Sequence, residues 1–397
     1  MKRIISAILI FTLLCVFCVT GFASDDESIG DIPFTELTGI DDGDINAKSA
    51  VLLDAKTGTL LYAKNPNVAL APASVTKVMT LLLVAEAIAD GKITLDQKVY
   101  VSANAASMGG SQVFLKEGEE FTVEELLKCT VIASANDAAV ALSELIGGSE
   151  STFVRMMNDR AEELGMKNTT FENTTGLDDD VEKHLTSAYD IAIMSRELIK
   201  HDIIRKYSNV WQDSIRNGEF VLTNTNRLVR YYQGCTGLKT GSTDKAGFCI
   251  SATAERDGMH LIAVIMGSET RDTRNATARA LLDYGFANYS VYSDPECALE
   301  EIPVYKSHSR VATAYSKEFS CLVSKADLKK IEKKYEIPGT LSAPMQDGQV
   351  IGSVTYYLNG TEIGKSDIFI TEELCRLQIF DIFKKIVAKV VIGKNIY

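Results

Sequence analysis

Pro72-Ala73-Ser74-Val75-Thr76-Lys77-Val78-Met79-Thr80 opens an apolar run that continues to Ala89. Hydrophobic residues occupy every face of the Val75–Ala89 segment, which predicts a helix inside a domain and not on its surface. A serine and a lysine three residues apart on such a helix stand side by side, one turn apart. Buried polar groups are costly unless they are paired, so this pair demands a reason.

Working outward, Ser49 to Asn65 reads as two apolar runs around Lys56-Thr57-Gly58, a hairpin with a glycine turn. Residues 122–146 and 150–165 read as helices separated by Gly147-Gly148, and Ser187 to Lys200 as a further amphipathic helix. Phe248 to Ala254 and His260 to Gly267 are strand-like runs joined by Arg256-Asp257-Gly258, and Arg274 to Asn288 returns to helix. Strands from both ends with helices between them give an α+β class: a mixed sheet with a helical block over 47–290. After Ser293-Asp294-Pro295, short alternating runs over 298–372, with an Asn359-Gly360 turn, predict a small β-rich domain.

The ends of the chain carry location signals. Lys2-Arg3, an apolar stretch from Ile4 to Val19 and Gly21-Phe22-Ala23 read as a secretory signal peptide cut after Ala23, or as an uncleaved anchor; residues 24–46 read as an acidic flexible lead-in. Ile379, Phe380, Phe383, Ile386, Val387, Val390 and Val391 share one helical face, opposite Gln378, Asp381, Lys384, Lys385 and Lys389. A basic amphipathic helix over 374–397 fits attachment to a membrane surface, with docking on the acidic body as the alternative. The expected location is extracytoplasmic, on the outer face of the cell membrane.

The 397 residues are 46% hydrophobic and 24% charged, an ordinary globular composition with room for two domains. A net charge of −12 without a long basic run argues against nucleic acid as a partner. Cys129, Cys235, Cys249, Cys297, Cys321 and Cys375 show no metal-ligand spacing; they read as small apolar residues, although export permits a disulfide such as Cys235–Cys249. His184, His201, His260 and His308 lack zinc spacing, and His184 reads as a structural hydrogen-bond partner. No metal or cofactor is expected.

Three short serine–lysine signals each occur twice, and context selects between the copies. Ser74–Lys77 opens the buried helix, whereas Ser242–Lys245 runs into a strand, where i and i+3 point to opposite faces. Ser134-Ala135-Asn136 lies between apolar helical stretches, whereas Ser102-Ala103-Asn104 reads as a turn. Lys239-Thr240-Gly241 precedes a strand pair, whereas Lys56-Thr57-Gly58 is a hairpin tip. Ser74 needs a base to act as a nucleophile, and Lys77 serves if burial and the charge of Lys239 deprotonate it. Ser134 is placed to pass a proton to a leaving amine, and Asn136 to hold Lys77 and a substrate amide. Lys239 and Thr240 suit a substrate carboxylate, and the N–H groups of Ser74 and Ser242 suit an oxyanion.

The ordered set S-x-x-K, S-x-N and K-T-G resembles the serine-type D-alanyl-D-alanine carboxypeptidases, the low-molecular-mass penicillin-binding proteins. PASVTKVMT, SQVFLKEGE at 111–119, ASANDAAVALSE at 133–144, NTTGLDDD…HLTSAYDIA at 173–192 and GLKTGSTDKAGF at 237–248 carry the resemblance. It implies a β-lactamase-like transpeptidase fold and release of the terminal D-alanine from peptidoglycan stem peptides through an acyl-enzyme. It also implies acylation by β-lactams. By motif it assigns Ser74 as nucleophile, Lys77 as base, Ser134 as proton shuttle and Lys239, Thr240 and Gly241 as substrate-binding, with Arg274 of MGSETRDTR near the site. Ser242 departs from members that carry histidine after K-T-G. A class A β-lactamase would need a deacylating glutamate that the sequence does not offer; a penicillin sensor would keep the serine without turnover.

Overall fold

The computed structural model describes residues 45–177 and 181–392. The expected signal peptide, the lead-in as far as residue 44 and Asp178–Asp180 of the NTTGLDDD stretch lie outside the described residues.

β1 (Ser49–Asp54) and β2 (Leu60–Lys64) form the expected hairpin. Its turn is closed by the Asp54 carboxylate, which accepts from the Thr57 N–H and Oγ1–H, both at 2.8 Å. Ile45 is already buried, so the folded body starts ahead of the expected boundary at 47. Two short ribbons follow, β3 (Lys98–Tyr100) with β4 (Glu120–Thr122) and β5 (Gln212–Ile215) with β6 (Phe220–Thr223). β7 (Cys235–Thr243), β8 (Gly247–Arg256) and β9 (Met259–Ser268) complete a five-stranded sheet in the order β2-β1-β9-β8-β7, with every ladder antiparallel. Lys239-Thr240-Gly241 therefore lies within a strand and not ahead of one. Cys235 faces Ala254 across this ladder and Cys249 faces Gly241, too far apart to bridge, and both thiols are free.

The sheet is buried on both faces. Along β9, Ile262, Val264 and Met266 join one core, while Leu261, Ala263 and Ile265 join the other, the period of two a strand imposes. The Arg271–Asn288 helix covers the second face through Ala278, Leu281 and Leu282. On the first face a 3-10 turn, Ala73–Thr76, leads into the Lys77–Ala89 helix, where every residue from Lys77 to Ala85 is buried. The helix expected over 122–146 is two, Val123–Ile132 and Asn136–Gly147. Between them Ser134 turns left-handed (φ 62°), and the Asn136 N–H donates to the Ser111 carbonyl at 2.7 Å, diverting the ladder. Ser102-Ala103-Asn104, expected as a turn, caps and starts a one-turn helix, Ala103–Ala106.

The β-rich region begins earlier than expected. It comprises β10 (Tyr289–Asp294), β11 (Cys297–Tyr305), β12 (Val311–Ser316), β13 (Phe319–Ser324), β14 (Ile331–Glu336), β15 (Leu341–Ser342), β16 (Val350–Leu358) and β17 (Thr361–Ile370). β10 pairs with β13, and the remaining six strands form one sheet. Asn359 and Gly360, both with positive φ, make the tight β16–β17 turn. Tyr356 stacks on Phe319, ring centroids 3.9 Å apart, and donates its hydroxyl to Asp294 at 2.7 Å. The last described helix is Ile379–Ile392, which starts later than the 374 expected; residues 393–397 lie outside the described residues. Leu374 belongs to the β-rich core, 1% exposed and bonded through its backbone in both directions to Met345.

Leu374→Ala is expected to cost about 2–5 kcal/mol of stability in urea unfolding, the range for emptying a buried leucine site. Ile379→Ala, at a position 87% exposed, is expected to change stability by less than about 0.5 kcal/mol.

Candidate active site

The 3-10 turn brings Ser74 to the mouth of a 590 Å³ cavity whose walls include Ser111, Ser134, Thr225, Thr240, Gly241, Ser242 and Arg274. Behind that wall Lys77 Nζ lies 3.0 Å from Ser74 Oγ and donates to the Thr175 carbonyl at 2.8 Å. Lys77 is completely buried. Burial holds its amine well below the ordinary lysine value, and the positive charge of Lys239 adds to this, against an opposing pull from Asp137.

A second serine–lysine pair faces the first. Lys239, also buried, donates from Nζ to Ser134 Oγ at 2.7 Å and to the Thr240 carbonyl at 3.0 Å. Burial and then Arg274 lower its amine to about 7. Thr240 Oγ1 donates to Thr225 Oγ1 at 2.8 Å. Arg274, 3% exposed, reaches the Cys249 carbonyl at 3.3 Å, and its guanidinium is lowered to about 10, chiefly by burial.

Gly241 explains how strand and helix start come together. A Cβ there would sit 2.7 Å from the Ser74 nitrogen and 2.9 Å from that of Val75, so only glycine lets β7 run against these N–H groups. Ala73, just before Ser74, is left-handed at φ 48°, as is Ser134. Two of the left-handed non-glycine residues thus stand at the site, one just before Ser74 and one at Ser134.

The expected residues converge, with one contact altered. Ser74, Lys77, Ser134, Lys239, Thr240, Gly241, Ser242 and Arg274 surround one cleft. Asn136 does not hold Lys77: its Nδ2 donates to the Gly109 carbonyl at 2.7 Å, and its Oδ1 is buried without a partner. Asn136 therefore braces the loop before Ser111. Its neighbour Asp137 does likewise, its carboxylate accepting from the Val113 and Leu115 N–H groups at 3.0 Å. His184 is structural, as expected: Nδ1 accepts from the Glu172 N–H at 3.0 Å, and Nε2 lies 2.7 Å from Thr76 Oγ1, inside the turn that carries Ser74.

Several lining residues had no signal in the sequence. Thr175 enters through a backbone carbonyl, which any residue possesses. Trp211, Thr225, Arg227, Tyr231 and Arg271 come from loops and helix ends with no spacing that ties them to Ser74. Asn173 Oδ1 accepts from the Gly176 N–H at 2.7 Å and shapes the turn that aims the Thr175 carbonyl at Lys77.

Comparison with known proteins agrees with this geometry. Residues 36–270 match the family model described as D-alanyl-D-alanine carboxypeptidase, and residues 286–376 match the penicillin-binding protein 5 C-terminal domain. The chain is 40% identical over 402 residues to the D-alanyl-D-alanine carboxypeptidase DacF of Bacillus subtilis, covering 97% of this chain and 98% of that protein. Penicillin-binding protein 5 from Haemophilus influenzae superposes with a TM-score of 0.69 at 30% identity, covering 86% of this chain and all of the other. Penicillin-binding protein D2 from Listeria monocytogenes in its ampicillin-bound form gives 0.56 at 30% identity, over 61% of this chain and 98% of the other.

Gly176 has φ 82°, and a Cβ there would overlap the Ala73 carbonyl. Gly176→Ala is expected to displace the Ser74 turn and slow covalent labelling by a fluorescent penicillin at least about tenfold, the cost of misplacing a reacting group.

Proposed function

The chain belongs to the D-alanyl-D-alanine carboxypeptidase family and is a serine-type carboxypeptidase of that activity; from this premise we propose how its own residues carry the reaction. Neutral Lys77 takes the proton from Ser74 Oγ, which attacks the carbonyl of the last peptide bond. The N–H groups of Ser74 and Ser242 stabilise the oxyanion. Ser134, polarised by Lys239, passes a proton to the departing amine, and the terminal carboxylate rests against Thr240 Oγ1 and Arg274. Water then hydrolyses the acyl-enzyme, with Lys77 again as base. β-Lactams acylate Ser74 by the same first step.

The observation that carries this reading is the 3.0 Å approach of Ser74 Oγ to a buried lysine whose bonded partners include no carboxylate. Such an amine loses its proton more readily than a solvated one, which is what a general base requires. Among the described residues no acidic side chain lines the cavity, so none of them stands where a class A β-lactamase would need its glutamate.

The substrate is the peptidoglycan stem peptide, met outside the cytoplasm. The Ile379–Ile392 helix is the proposed attachment to the outer face of the membrane. Ile379, Phe380, Phe383 and Ile386 are exposed on it, and Lys384 sits 5.7 Å over the Phe380 ring. Apolar side chains left in water beside a lysine suit a lipid headgroup boundary. Among the described residues no helix is long and apolar enough to cross a bilayer.

Ser74→Ala is expected to abolish both D-alanine release and penicillin labelling; labelling that survives would move the nucleophile elsewhere. Lys77→Arg installs a fixed charge that cannot give up its proton, and should lower acylation by about 10²–10⁴. The pH dependence of kcat/KM follows from the two amines. Activity falls as pH drops and Lys77 becomes protonated, and falls again above about 7 as Lys239 loses the charge that polarises Ser134. Lys239→Arg should push that alkaline limb to higher pH. Deleting 379–397 should abolish sedimentation with anionic vesicles while leaving D-alanine release intact; a truncated protein that still sediments would refute the attachment.

A further inference from the structure

The cavity at Ser74 holds more positive charge than one alanine requires. Arg227, Arg271 and Arg274 line it, and among the described residues no aspartate or glutamate does, on a chain of net charge −12. Among the described residues neither Arg227 nor Arg271 forms a salt bridge. Both stand near enough to Arg274 for their charge to bear on it, Arg271 the more strongly.

The cleft also has more room than alanine needs. Arg227 and Tyr231 are shared with an adjoining hollow of 280 Å³, whose walls include Asn275, Arg279 and one acid, Asp272. Trp211 and Tyr231 meet edge to face at 6.4 Å, with Arg230 packed over both rings. The Trp211 indole N–H is buried and has no acceptor. Arginine, aromatic rings and an unmet donor form a wall suited to a polar anion.

The side of the cleft is fixed by the reaction. The bond broken is the last peptide bond, so the terminal carboxylate leaves with the departing residue, and Thr240 and Arg274 mark the leaving-group side. One carboxylate occupies one guanidinium fork. Two further guanidiniums line the same cavity and act on Arg274, with Asp272 as the one acid whose charge is felt there, an excess of positive charge that a more anionic ligand relieves.

We propose that the leaving-group side is a subsite for an anionic terminal residue, in which Arg227 and Arg271 take a second carboxylate on the side chain of the released D-amino acid. The proposal rests on the assignment of Ser74 as nucleophile and Arg274 as the carboxylate site. The chemistry is otherwise unchanged: the C–N bond breaks, the ester to Ser74 forms, the departing amine gains a proton, and a dicarboxylic D-amino acid is released in place of D-alanine.

The test uses the full chain and three peptides, diacetyl-L-Lys-D-Ala-X, in which X is D-Ala, D-Glu or D-Lys. The readout is the ratio of kcat/KM for D-Glu to that for D-Lys. The wild type should favour D-Glu, and added salt should shrink the preference. Arg271→Ala and Arg227→Ala should each lower the ratio about tenfold, the scale of one charge-assisted hydrogen bond. Arg271→Lys should retain much of it, and Arg271→Glu should invert it. A wild type that favours D-Lys, or does not discriminate, overturns the proposal, as does a ratio that stays within about twofold in both alanine variants. Penicillin labelling of each variant reports an intact Ser74 region. Failure of the Ser74 assignment would show separately, as labelling of Ser74→Ala.

Discussion

Two lysine amines are fully buried in this protein without a carboxylate bonded to either. Keeping a charged ammonium out of water costs several kcal/mol even after relaxation, and the usual resolution is to give up the proton. Lys77 is bonded to the Ser74 hydroxyl and a carbonyl, and Lys239 to the Ser134 hydroxyl and another carbonyl. All four partners are neutral, so burial works against the charge on each amine, and the two repel when both are charged. Asp137, the acid that pulls Lys77 the other way, is occupied by the N–H groups of Val113, Leu115 and Ala138. The reactivity proposed for Ser74 follows from where the scaffold puts these amines.

The scaffold meets that demand through backbone geometry. A helix buried along its first nine residues can carry Lys77 only if its N-terminus abuts a strand with no side chain at the contact, which Gly241 provides. Opposite, the left-handed turn at Ser134 interrupts what would be a continuous helix and swings a hydroxyl to Lys239. His184, Thr76 and the Asn173–Gly176 turn brace the same spot from behind. Local strain of about 1–3 kcal/mol at such positions survives because the surrounding packing leaves no alternative.

The rest of the molecule is organised around access to that cleft. The second sheet core, under the Arg271–Asn288 helix, holds Arg274 at the cleft edge. The β-rich region has its own core around Tyr356 and is joined to the hairpin tip by Lys56 Nζ, 2.6 Å from Ser320 Oγ. The hairpin copy of K-T-G, without a place in the chemistry, thus contacts the neighbouring domain. Beyond Leu374 the chain turns from a packed edge to a helix with bare apolar side chains.

Hydrophobic periodicity and short-range chemistry determined much of this in one dimension. The buried Lys77–Ala89 helix, the three hairpins, the Arg271–Asn288 helix and the S-x-x-K, S-x-N and K-T-G set are all legible because each depends on residues a few positions apart. Only the tertiary structure decided that Lys239 sits inside a strand, that Asn136 braces a loop instead of Lys77, and that Leu374 is core. It alone brought Arg227, Tyr231 and Arg271 to the wall of the Ser74 cavity. Those outcomes rest on contacts between segments tens to hundreds of residues apart, on backbone carbonyls common to every residue and on left-handed turns at alanine and serine. None of these leaves a periodic or compositional trace in the chain.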